Sequence, residues 1–427
     1  MAIVMLSAMV ILLVAGFPMM VTLIGATLIG FVFYFPDINL QQVVQQMIGG
    51  VKPASLVAVP MFIFAADIVT RGHSADRLLD LVMRFFGHLR GGLAVSATVA
   101  CGMFGAVSGS TQATVVAIGG PMRAKMLKAG YKDDFTIGLM VNGADLAYLI
   151  PPSIGMIIYG VLSGTSVAQL FIAGIGPGLL VIMLFSLYSV WYATRHGIPT
   201  EPKASWGQRW QAIRRAAWPA GFPLIVVGGI YGGVFSPTEA AAVCALYAVI
   251  LELVVFRSIG LRELYDIALS TGLVTSVVFV LVGAGAAFSW LLSYAQIPQE
   301  IIGSLGLDHI GPVGVLYAIT IAFFIGCMFV DSIVVMLILI PIFMPLVHAS
   351  GLDPVLVGTV ITLQVAIGAA TPPFGCDIFT AIAVFRRPYL DCIKGTPPFF
   401  LMLVGVSITL IYFPQIALFL RDWAFAG

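Results

Sequence analysis

Residues 149–155 read LIPPSIG and residues 370–375 read ATPPFG, so each half of the chain carries a double proline within an apolar stretch. A proline inside a helix removes a backbone hydrogen bond and clashes with the preceding turn, so each pair predicts a broken helix. A Met-Phe dipeptide lies at a similar distance before each pair, at residues 103–104 and 328–329. The matched order predicts two copies of one structural unit.

The composition predicts that both copies lie in a membrane. The 427 residues are 60% hydrophobic and 9% charged, whereas soluble domains are about 25% charged. Many apolar stretches are long enough to cross roughly 30 Å of hydrocarbon as helices. They are apolar on every face, unlike the alternating strands of a membrane barrel. We therefore expect an all-α polytopic membrane protein.

The uncharged residues 1–34 exceed the length of a secretory signal and predict a retained membrane segment. Phe17-Pro18 interrupts this segment, which leaves open whether it forms one kinked span or two short ones.

The basic residues predict the topology. Five segments are rich in Lys and Arg and are expected on the cytoplasmic side. These segments are residues 71–90, 123–132, 195–215, 257–262 and 386–394. Residues 91–122 are apolar but have a basic segment at both ends, so they cannot cross once and predict a re-entrant hairpin.

Residues 312–346 lie between connectors poor in Lys and Arg, which predicts a second hairpin from the opposite face. Its turn is expected near Phe329 to Ser332, although Pro341 and Pro345 could shift it. Matched order with opposite entry is typical of the inverted repeats of secondary transporters.

These patterns predict one transporter domain over residues 1–427, with four parts. The parts are N-terminal scaffold helices at 1–90; repeat 1 at 91–195, with a hairpin at 91–122 and a broken helix at 134–163; connecting scaffold helices at 196–263; and repeat 2 at 264–427, with a hairpin at 312–346 and a broken helix at 355–384.

The hairpin turns and helix breaks are the expected sites of chemistry, because broken helices expose carbonyl oxygens and helix ends that bind ions. Sodium is bound by such carbonyls and by hydroxyl, amide and carboxylate oxygens. The candidates are Ser108, Gly109, Ser110, Thr111, Asn142, Gly143 and Asp145 in the first half, and Asp331, Ser332, Gly368, Ala369, Thr371, Gly375 and Asp377 in the second. Asp145, Asp331 and Asp377 stand out, since a carboxylate at membrane depth is costly unless it is paired or ion-bound. Asp67 is interpreted as a structural partner of Arg71, one turn later.

Other function classes find little support. The five cysteines form no CxxC pair, and the five histidines show no metal-binding spacing. No phosphate-binding GxxxxGK[ST] motif occurs. The sequence also contains no recognisable catalytic grouping and no cofactor-binding motif. We expect no enzyme activity, no organic cofactor, no metal other than Na⁺ and no nucleic-acid partner, with lipid as the surrounding solvent. A channel or a membrane-embedded enzyme remains a less favoured alternative.

Four motifs resemble the large membrane subunit of tripartite ATP-independent periplasmic (TRAP) transporters, and the resemblance extends over nearly the whole chain. They are GAVSGSTQATVVAIGGPM at 105–122, IPPSIGMIIYGVLSGTS at 150–166, FSPTEAAA at 235–242 and GLDPVLVGTVITLQVAIGAATPPFGCDIFTA at 351–381.

The resemblance implies an elevator-type secondary transporter of the bacterial inner membrane, driven by a sodium gradient. It implies a small membrane subunit, expected as a separate polypeptide because Met1 begins at the large subunit, and a periplasmic substrate-binding protein. The stretches AVSGSTQATVV, ATPPFGCDIFTAIAVFRRPYLD and IPTEPKASWGQR are most similar to sialic-acid transporters. Sialic acid (N-acetylneuraminate), and hence sugar transport, is therefore the expected substrate, with C4-dicarboxylates as the alternative.

The resemblance also implies a division of the site residues. The implied sodium ligands are Ser108, Ser110, Asn142, Gly143, Asp331, Ser332, Gly368 and Thr371. The implied substrate-binding residues, between the two hairpin tips, are Ser110, Ser153, Ser166, Asp331 and Asp377.

Overall fold

The computed structural model describes residues 1–304, 306 and 310–425, and throughout this part of the chain the regular structure is helical. The prediction of an all-α chain is confirmed for these residues. Residues 305 and 307–309, inside a connector expected to face away from the cytoplasm, and residues 426–427 lie outside the described part.

The helices are α1 Ala2–Val14, α2 Met19–Tyr34, α3 Gln41–Val51, α4 Ala58–Arg71, α5 Ser74–Phe86, α6 Gly92–Ser108, α7 Thr111–Thr114, α8 Gly120–Lys128, α9 Asp133–Ala144, α10 Leu146–Leu149, α11 Ile154–Ser163, α12 Val167–Arg195, α13 Trp206–Ala216, α14 Gly221–Pro223, α15 Gly229–Tyr231, α16 Pro237–Val249, α17 Leu261–Tyr294, α18 Ile297–Ser304, α19 Gly311–Phe329, α20 Ser332–Ala349, α21 Pro354–Ala369, α22 Cys376–Phe385, α23 Tyr389–Ile393, α24 Pro397–Tyr412 and α25 Gln415–Ala424. A 3₁₀ turn, Ala54–Val57, precedes α4, and π-helical segments Val115–Gly119, Leu224–Gly228 and Ile250–Val255 follow α7, α14 and α16.

Within the described residues, six helices are long and apolar enough to cross a membrane, or up to eight if each of two bent pairs counts as one span. The question left open for residues 1–34 is answered by α1 and α2, which are separate helices that pack against each other. The chain turns between them at Gly16, whose φ is +83°, and Pro18.

The first helical hairpin, which we call hairpin 1, consists of α6 and the returning segment Thr111–Lys128. It lies where residues 91–122 were expected to turn back, but its second leg continues about one and a half turns further. The two legs contact each other along their length. Lys125, near the end of the second leg, lies 3.2 Å from Met83 Sδ in α5, which directly precedes the first leg. Both ends of hairpin 1 therefore lie at the same end of the molecule.

The second hairpin, hairpin 2, consists of α19 and α20 and turns at Val330-Asp331. Pro341 and Pro345 lie inside α20 and do not move the turn. Gly311 and Pro312 at its start line one cavity together with Ala349 and Ser350 at its end. The ends of hairpin 2 therefore also meet.

Each double proline lies in a break between two helices. The first break, residues 150–153, separates α9–α10 from α11, and the two parts meet at 43°. The second break, residues 370–375, separates α21 from α22. The peptide bonds Pro151-Pro152 and Pro372-Pro373 are both cis. Ser153 caps α11, with its Oγ accepting from the Met156 amide at 3.4 Å.

Hairpin 1 is aligned with the first broken helix by glycines. A Cβ added at Gly105 would lie 2.7 Å from Ala147 Cα, and one at Gly143 would lie 3.6 Å from Cys101 Sγ. From the Cys101–Gly143 contact to the Gly105–Ala147 contact, both helices progress by four residues in the same direction, so α6 runs parallel to α9–α10. This alignment carries the tip of hairpin 1 to the double proline.

The basic segments gather at one end of the molecule. Arg123 and Arg387 both pair with Asp133, at 2.6 and 2.9 Å. The Arg77 guanidinium donates to the Arg215 carbonyl oxygen at 3.5 Å and lies 3.5 Å from the centre of the Phe256 ring. These contacts join segments that are far apart in sequence, as expected if all the basic segments lie on the same side of the membrane.

Candidate substrate and ion site

A cavity of about 340 Å³ lies where the two hairpin tips meet. Its walls are the tips, the start of α11, and two helices that belong to neither a hairpin nor a broken helix, α4 and α17. Although the sequence prediction placed residues 264–294 of α17 in repeat 2, we group α17 with α4 as the scaffold wall. The polar residues that line the cavity are Asp67, Ser108, Ser110, Gln112, Tyr148, Ser270, Asp331 and Ser332. The cavity is therefore bounded by both hairpin tips on one side and by the scaffold wall on the other.

The tip of hairpin 1, residues 108–111, is held by its own hydroxyl groups. Ser108 Oγ lies 3.3 Å from Thr114 Oγ1, which donates to the Ser110 carbonyl oxygen at 2.9 Å. Ser110 Oγ accepts from the Ala113 amide at 3.4 Å and so caps the returning helix. The tip is thus a closed network of small polar groups.

Gly109 brings this tip against the first break. Its φ of +61° favours glycine, and an added Cβ would lie 2.7 Å from the Pro152 carbonyl oxygen. Only a residue without a side chain fits this position, because the backbones of the tip and the break are in direct contact.

The tip of hairpin 2, residues 330–332, meets the second break in an equivalent way. The Phe374 amide donates to the Met328 carbonyl oxygen at 3.2 Å. Gly368 packs so closely on Cys327 that an added Cβ would overlap its Cβ atom. Asp331 is exposed to the cavity, and its Oδ1 accepts from the Ile333 amide at 2.9 Å, which caps α20.

A buried hydrogen bond joins the tip of hairpin 1 to the second broken helix. Thr111 Oγ1, at the first tip, donates to Asp377 Oδ1 at 2.7 Å, and both residues are buried. Asp377 Oδ2 and both carboxylate oxygens of Asp145 have no hydrogen-bond partner among the described residues. Asp145 is fully buried. A buried carboxylate without a protein partner is costly unless it is protonated or bound to a cation, so this junction is a candidate ion site.

Five of the candidate residues line the cavity: Ser108, Gly109, Ser110, Asp331 and Ser332. Ser153 is buried at the start of α11, directly beside the lining residues Ile154 and Gly155. Asp377 lies behind the first tip, where it is reached through Thr111.

The remaining predicted residues lie further away. Gly143 is level with Cys101, seven residues before Ser108 and so roughly 10 Å from the tip along α6. Asn142 precedes Gly143, and its Nδ2 donates to the Gly138 carbonyl oxygen at 2.8 Å. Ser166 is exposed beyond the far end of α11, eight positions after the lining residue Ile158.

The predicted second ion site is centred on the second break. Thr371 Oγ1 donates to the Ile367 carbonyl oxygen at 2.5 Å, and Gly368 lies between them in sequence and against hairpin 2. The sodium ligands assigned from the sequence remain predictions. The structure gives the position of each of these residues relative to the hairpin tips.

Sequence reasoning missed the contribution of the scaffold. Asp67, interpreted as a partner of Arg71, forms no ion pair with it within 4 Å in the described part of the chain, and instead lines the cavity. The signal was present, because Asp67 is a carboxylate within an apolar span. Tyr148 and Gln112 also line the cavity, but neither residue type marks a site by itself.

The chain matches the family model described as "Tripartite ATP-independent periplasmic transporter, DctM component" over residues 6–416. It is 67% identical over 419 residues to the ectoine/5-hydroxyectoine TRAP transporter large permease protein UehC of Ruegeria pomeroyi, covering 98% of each chain. It is 63% identical over 423 residues to the ectoine TRAP transporter large permease protein TeaC of Halomonas elongata, covering 99% of each.

A more distant relative, the C4-dicarboxylate TRAP transporter large permease protein DctM of Pseudomonas aeruginosa, is 36% identical over 369 residues, or 86% of each chain. Among solved structures, the YdaH transporter of Alcanivorax borkumensis has a TM-score of 0.58 over 87% of each chain at 15% identity, which shows a shared fold.

The expectation of sialic acid, and with it of sugar transport, is wrong. The two relatives named above, at 67% and 63% identity, are ectoine permeases, which contradicts the assignment to sialic acid.

Proposed function

This chain belongs to the DctM component family of TRAP transporters, and from that membership we propose that it carries ectoine or 5-hydroxyectoine across the inner membrane. It is a large permease subunit and a polytopic inner-membrane protein. Membership implies a small membrane subunit and a periplasmic binding protein as partners. C4-dicarboxylates are the alternative substrate class, supported by a relative at 36% identity.

The charge of the cavity supports the choice of ectoine. Ectoine is a small zwitterion whose ring carries a cationic amidine and a carboxylate. The cavity presents two carboxylates, Asp67 from the scaffold and Asp331 from the tip of hairpin 2. Among its described lining residues there is no Lys or Arg. This lining suits a ligand that brings its own positive charge, and it disfavours a dianion, which needs cationic partners.

The cavity offers a group of opposite polarity for each of the two charges of ectoine. The amidinium can donate to Asp331 or Asp67, with the strength of charge-assisted hydrogen bonds. The ectoine carboxylate can be received at the N-terminus of α11, because Ile154 and Gly155 line the cavity there and helix N-termini attract anions. A volume of about 340 Å³ lies in the usual range of small-molecule sites, roughly 300–1,000 Å³.

The arrangement also supports elevator-type transport coupled to sodium. The hairpins and broken helices pack on one another through both tips, whereas α4 and α17 contribute the opposite wall. We expect the two hairpins and the two broken helices to move as a unit against α4 and α17, carrying substrate with them. The tips are rich in hydroxyl and carbonyl oxygens, which bind sodium without titrating.

Transport by the complete system tests the proposal. The permease, its small subunit and its binding protein are reconstituted in liposomes, and uptake of labelled ectoine, succinate and sialic acid is measured under an inward sodium gradient. We expect ectoine uptake alone, and loss of uptake when either partner is omitted. Uptake of succinate without ectoine would contradict the substrate assignment.

The driving ion is tested in the same liposomes. An inward sodium gradient is compared with an equal proton gradient at constant membrane potential. We expect uptake to follow sodium; uptake that follows protons and ignores sodium would refute sodium coupling.

Re-entry of the hairpins is tested separately by single-cysteine labelling in membranes. Residue 90 directly precedes hairpin 1 and residue 123 lies near the end of its second leg, and we expect both to react only from the cytoplasmic side. Labelling from opposite sides would refute the hairpin topology and with it the inverted repeat.

A further inference from the structure

A second polar cavity lies far from the substrate site, at the end of the molecule where the basic segments gather. Its volume is about 530 Å³. Its lining includes three arginines and three aromatic residues: Arg77, Arg214, Arg215, Trp210, Trp218 and Phe256. No role in substrate transport accounts for this grouping.

The cavity is built by an amphipathic helix, α13, packed against α5. Ala212 and Ala216 are buried on the packed side, whereas Trp210 and Arg214 face outward. A capping box at Ser205 fixes the start of α13. The helix therefore fixes Arg214, Arg215 and Trp210 beside α5.

Arg77 enters the cavity from α5 and is held at two points. Its guanidinium lies 3.5 Å from the centre of the Phe256 ring and donates to the Arg215 carbonyl oxygen at 3.5 Å. Stacking on an aromatic ring leaves the edge of a guanidinium available for a planar or tetrahedral anion. Arg77 is thus oriented before any ligand arrives.

The acidic residues nearby do not neutralise this site. Asp76 and Asp80 lie in an adjoining groove with Arg77 and Arg215, and Asp80 pairs with Arg84 at 3.2 Å. In the described part of the chain, Arg77, Arg214 and Arg215 have no ion-pair partner within 4 Å. Three guanidinium groups therefore face one cavity, and none of them is engaged in an ion pair within the described residues.

We propose that this cavity binds the phosphate headgroup of an anionic phospholipid. Its floor includes Val255 and Phe256, at the end of the membrane span Pro237–Val255, which places it at headgroup depth. Trp210 and Trp218 are 61% and 52% exposed, and tryptophan is enriched at this depth. Basic pockets at the cytoplasmic ends of membrane helices bind phosphate-bearing lipids.

A free phosphate ion offers the same chemistry, and the position of the cavity at the end of a span favours the lipid. An arginine near a membrane surface contributes about 1 kcal/mol of attraction for anionic lipid, or roughly fivefold in affinity. Removal of all three charges is therefore expected to weaken binding by about a hundredfold.

Native mass spectrometry of the detergent-purified complex with its small subunit tests the proposal. The complex is titrated with dioleoyl phosphatidylglycerol, with dioleoyl phosphatidylcholine and with inorganic phosphate. The variants are Arg77→Gln/Arg214→Gln/Arg215→Gln, Arg214→Gln alone, and Arg262→Gln, an exposed arginine outside the cavity, as control.

We expect tight retention of phosphatidylglycerol over phosphatidylcholine, loss of that retention in the triple variant, about fivefold weaker binding for Arg214→Gln, and no change for Arg262→Gln. If the triple variant does not fold, Arg214→Gln decides the matter, because its side chain is exposed. Equal retention by wild type and by Arg214→Gln would overturn the proposal. Inorganic phosphate that competes as well as the lipid would overturn the choice of a lipid ligand.

Discussion

The tips of the two hairpins occupy equivalent places in the repeated order but differ in packing. At the first tip, Ser108 and Thr111 are almost fully buried, and Gly109 touches the backbone of the first break. At the second tip, Asp331 is exposed to the cavity and Phe329 is 53% exposed. The first tip is a structural junction, and the second presents a charge.

The difference follows from the neighbours of each tip. The first tip contacts both broken helices, through Pro152 of its own repeat and through Asp377 of the other. The second tip contacts the break of its own repeat through Met328 and Phe374, and α20, which follows it, packs on α11 of the first repeat. Changes to the packed residues Gly109 and Thr111 should therefore act on folding, and a change to Asp331 on substrate binding.

The largest effect is expected from Gly109→Ala. The added Cβ would lie 2.7 Å from the Pro152 carbonyl oxygen at a φ of +61°, so both a clash and backbone strain result. We expect a destabilisation of more than about 3 kcal/mol, seen as a lower unfolding temperature of the purified complex and loss of ectoine uptake.

Gly351→Ala is the matched control for Gly109→Ala. Its φ is +68°, but no atom lies within 4 Å of an added Cβ. It should lose only about 1–2 kcal/mol from backbone strain. Equal losses in the two variants would show that contact with the first break is unimportant.

At the second tip, Asp331→Asn should reduce transport and leave folding intact. The amide can still cap α20, but it no longer offers a charge to the amidinium of ectoine. Loss of a charged hydrogen bond costs about 1.5–3 kcal/mol, so we expect the ectoine concentration for half-maximal uptake to rise roughly 10- to 100-fold.

Asp353→Asn is the control for Asp331→Asn, since Asp353 Oδ1 also caps a helix, at 2.8 Å from the Val355 amide, but lies outside the cavity. Because Asp353 also pairs with Arg421 at 2.7 Å, the control is expected to lose some stability, which is measured separately from uptake. Its uptake should remain near that of wild type. A similar rise in both variants would show that the charge of Asp331 has no special role.

Thr111→Val should cause a smaller loss of stability than Gly109→Ala. It removes the 2.7 Å hydrogen bond to Asp377 and leaves a buried carboxylate with one partner fewer. We expect about 1.5–3 kcal/mol of destabilisation in thermal unfolding. Thr362→Val, which removes a buried hydroxyl bonded only within its own helix, serves as control and should lose about 1 kcal/mol. Identical shifts would mean that the link between repeats adds no stability.

Ser110→Ala should have the smallest effect, mainly on the ion, because the cap that its hydroxyl gives the returning helix is a long hydrogen bond of 3.4 Å. It removes one neutral oxygen from the first tip and should raise the sodium concentration for half-maximal uptake by roughly fivefold, the equivalent of about 1 kcal/mol. Ser276→Ala, at an exposed serine bonded to its own helix, is the control. An unchanged sodium requirement in Ser110→Ala would remove this residue from the coupling site.

The expectation of sialic acid was wrong because it rested on local motifs. GAVSGST and ATPPFG form the tip of hairpin 1 and the second break, so they report on the architecture. The two carboxylates that line the cavity, Asp67 and Asp331, are 264 positions apart by number, and no local motif joins them.

The amino-acid sequence by itself determined the helical membrane class, the two breaks, the positions of both hairpins and the common location of the basic segments. Each of these depends on neighbouring residues alone: the hydropathy of a stretch, the lost hydrogen bond of a proline, the charge of a loop. The tertiary structure alone decided that Gly109 rests on Pro152, that Thr111 bonds Asp377 and that Asp67 faces the cavity. Such contacts join segments distant in sequence, and they depend on how whole helices pack, which no local pattern encodes.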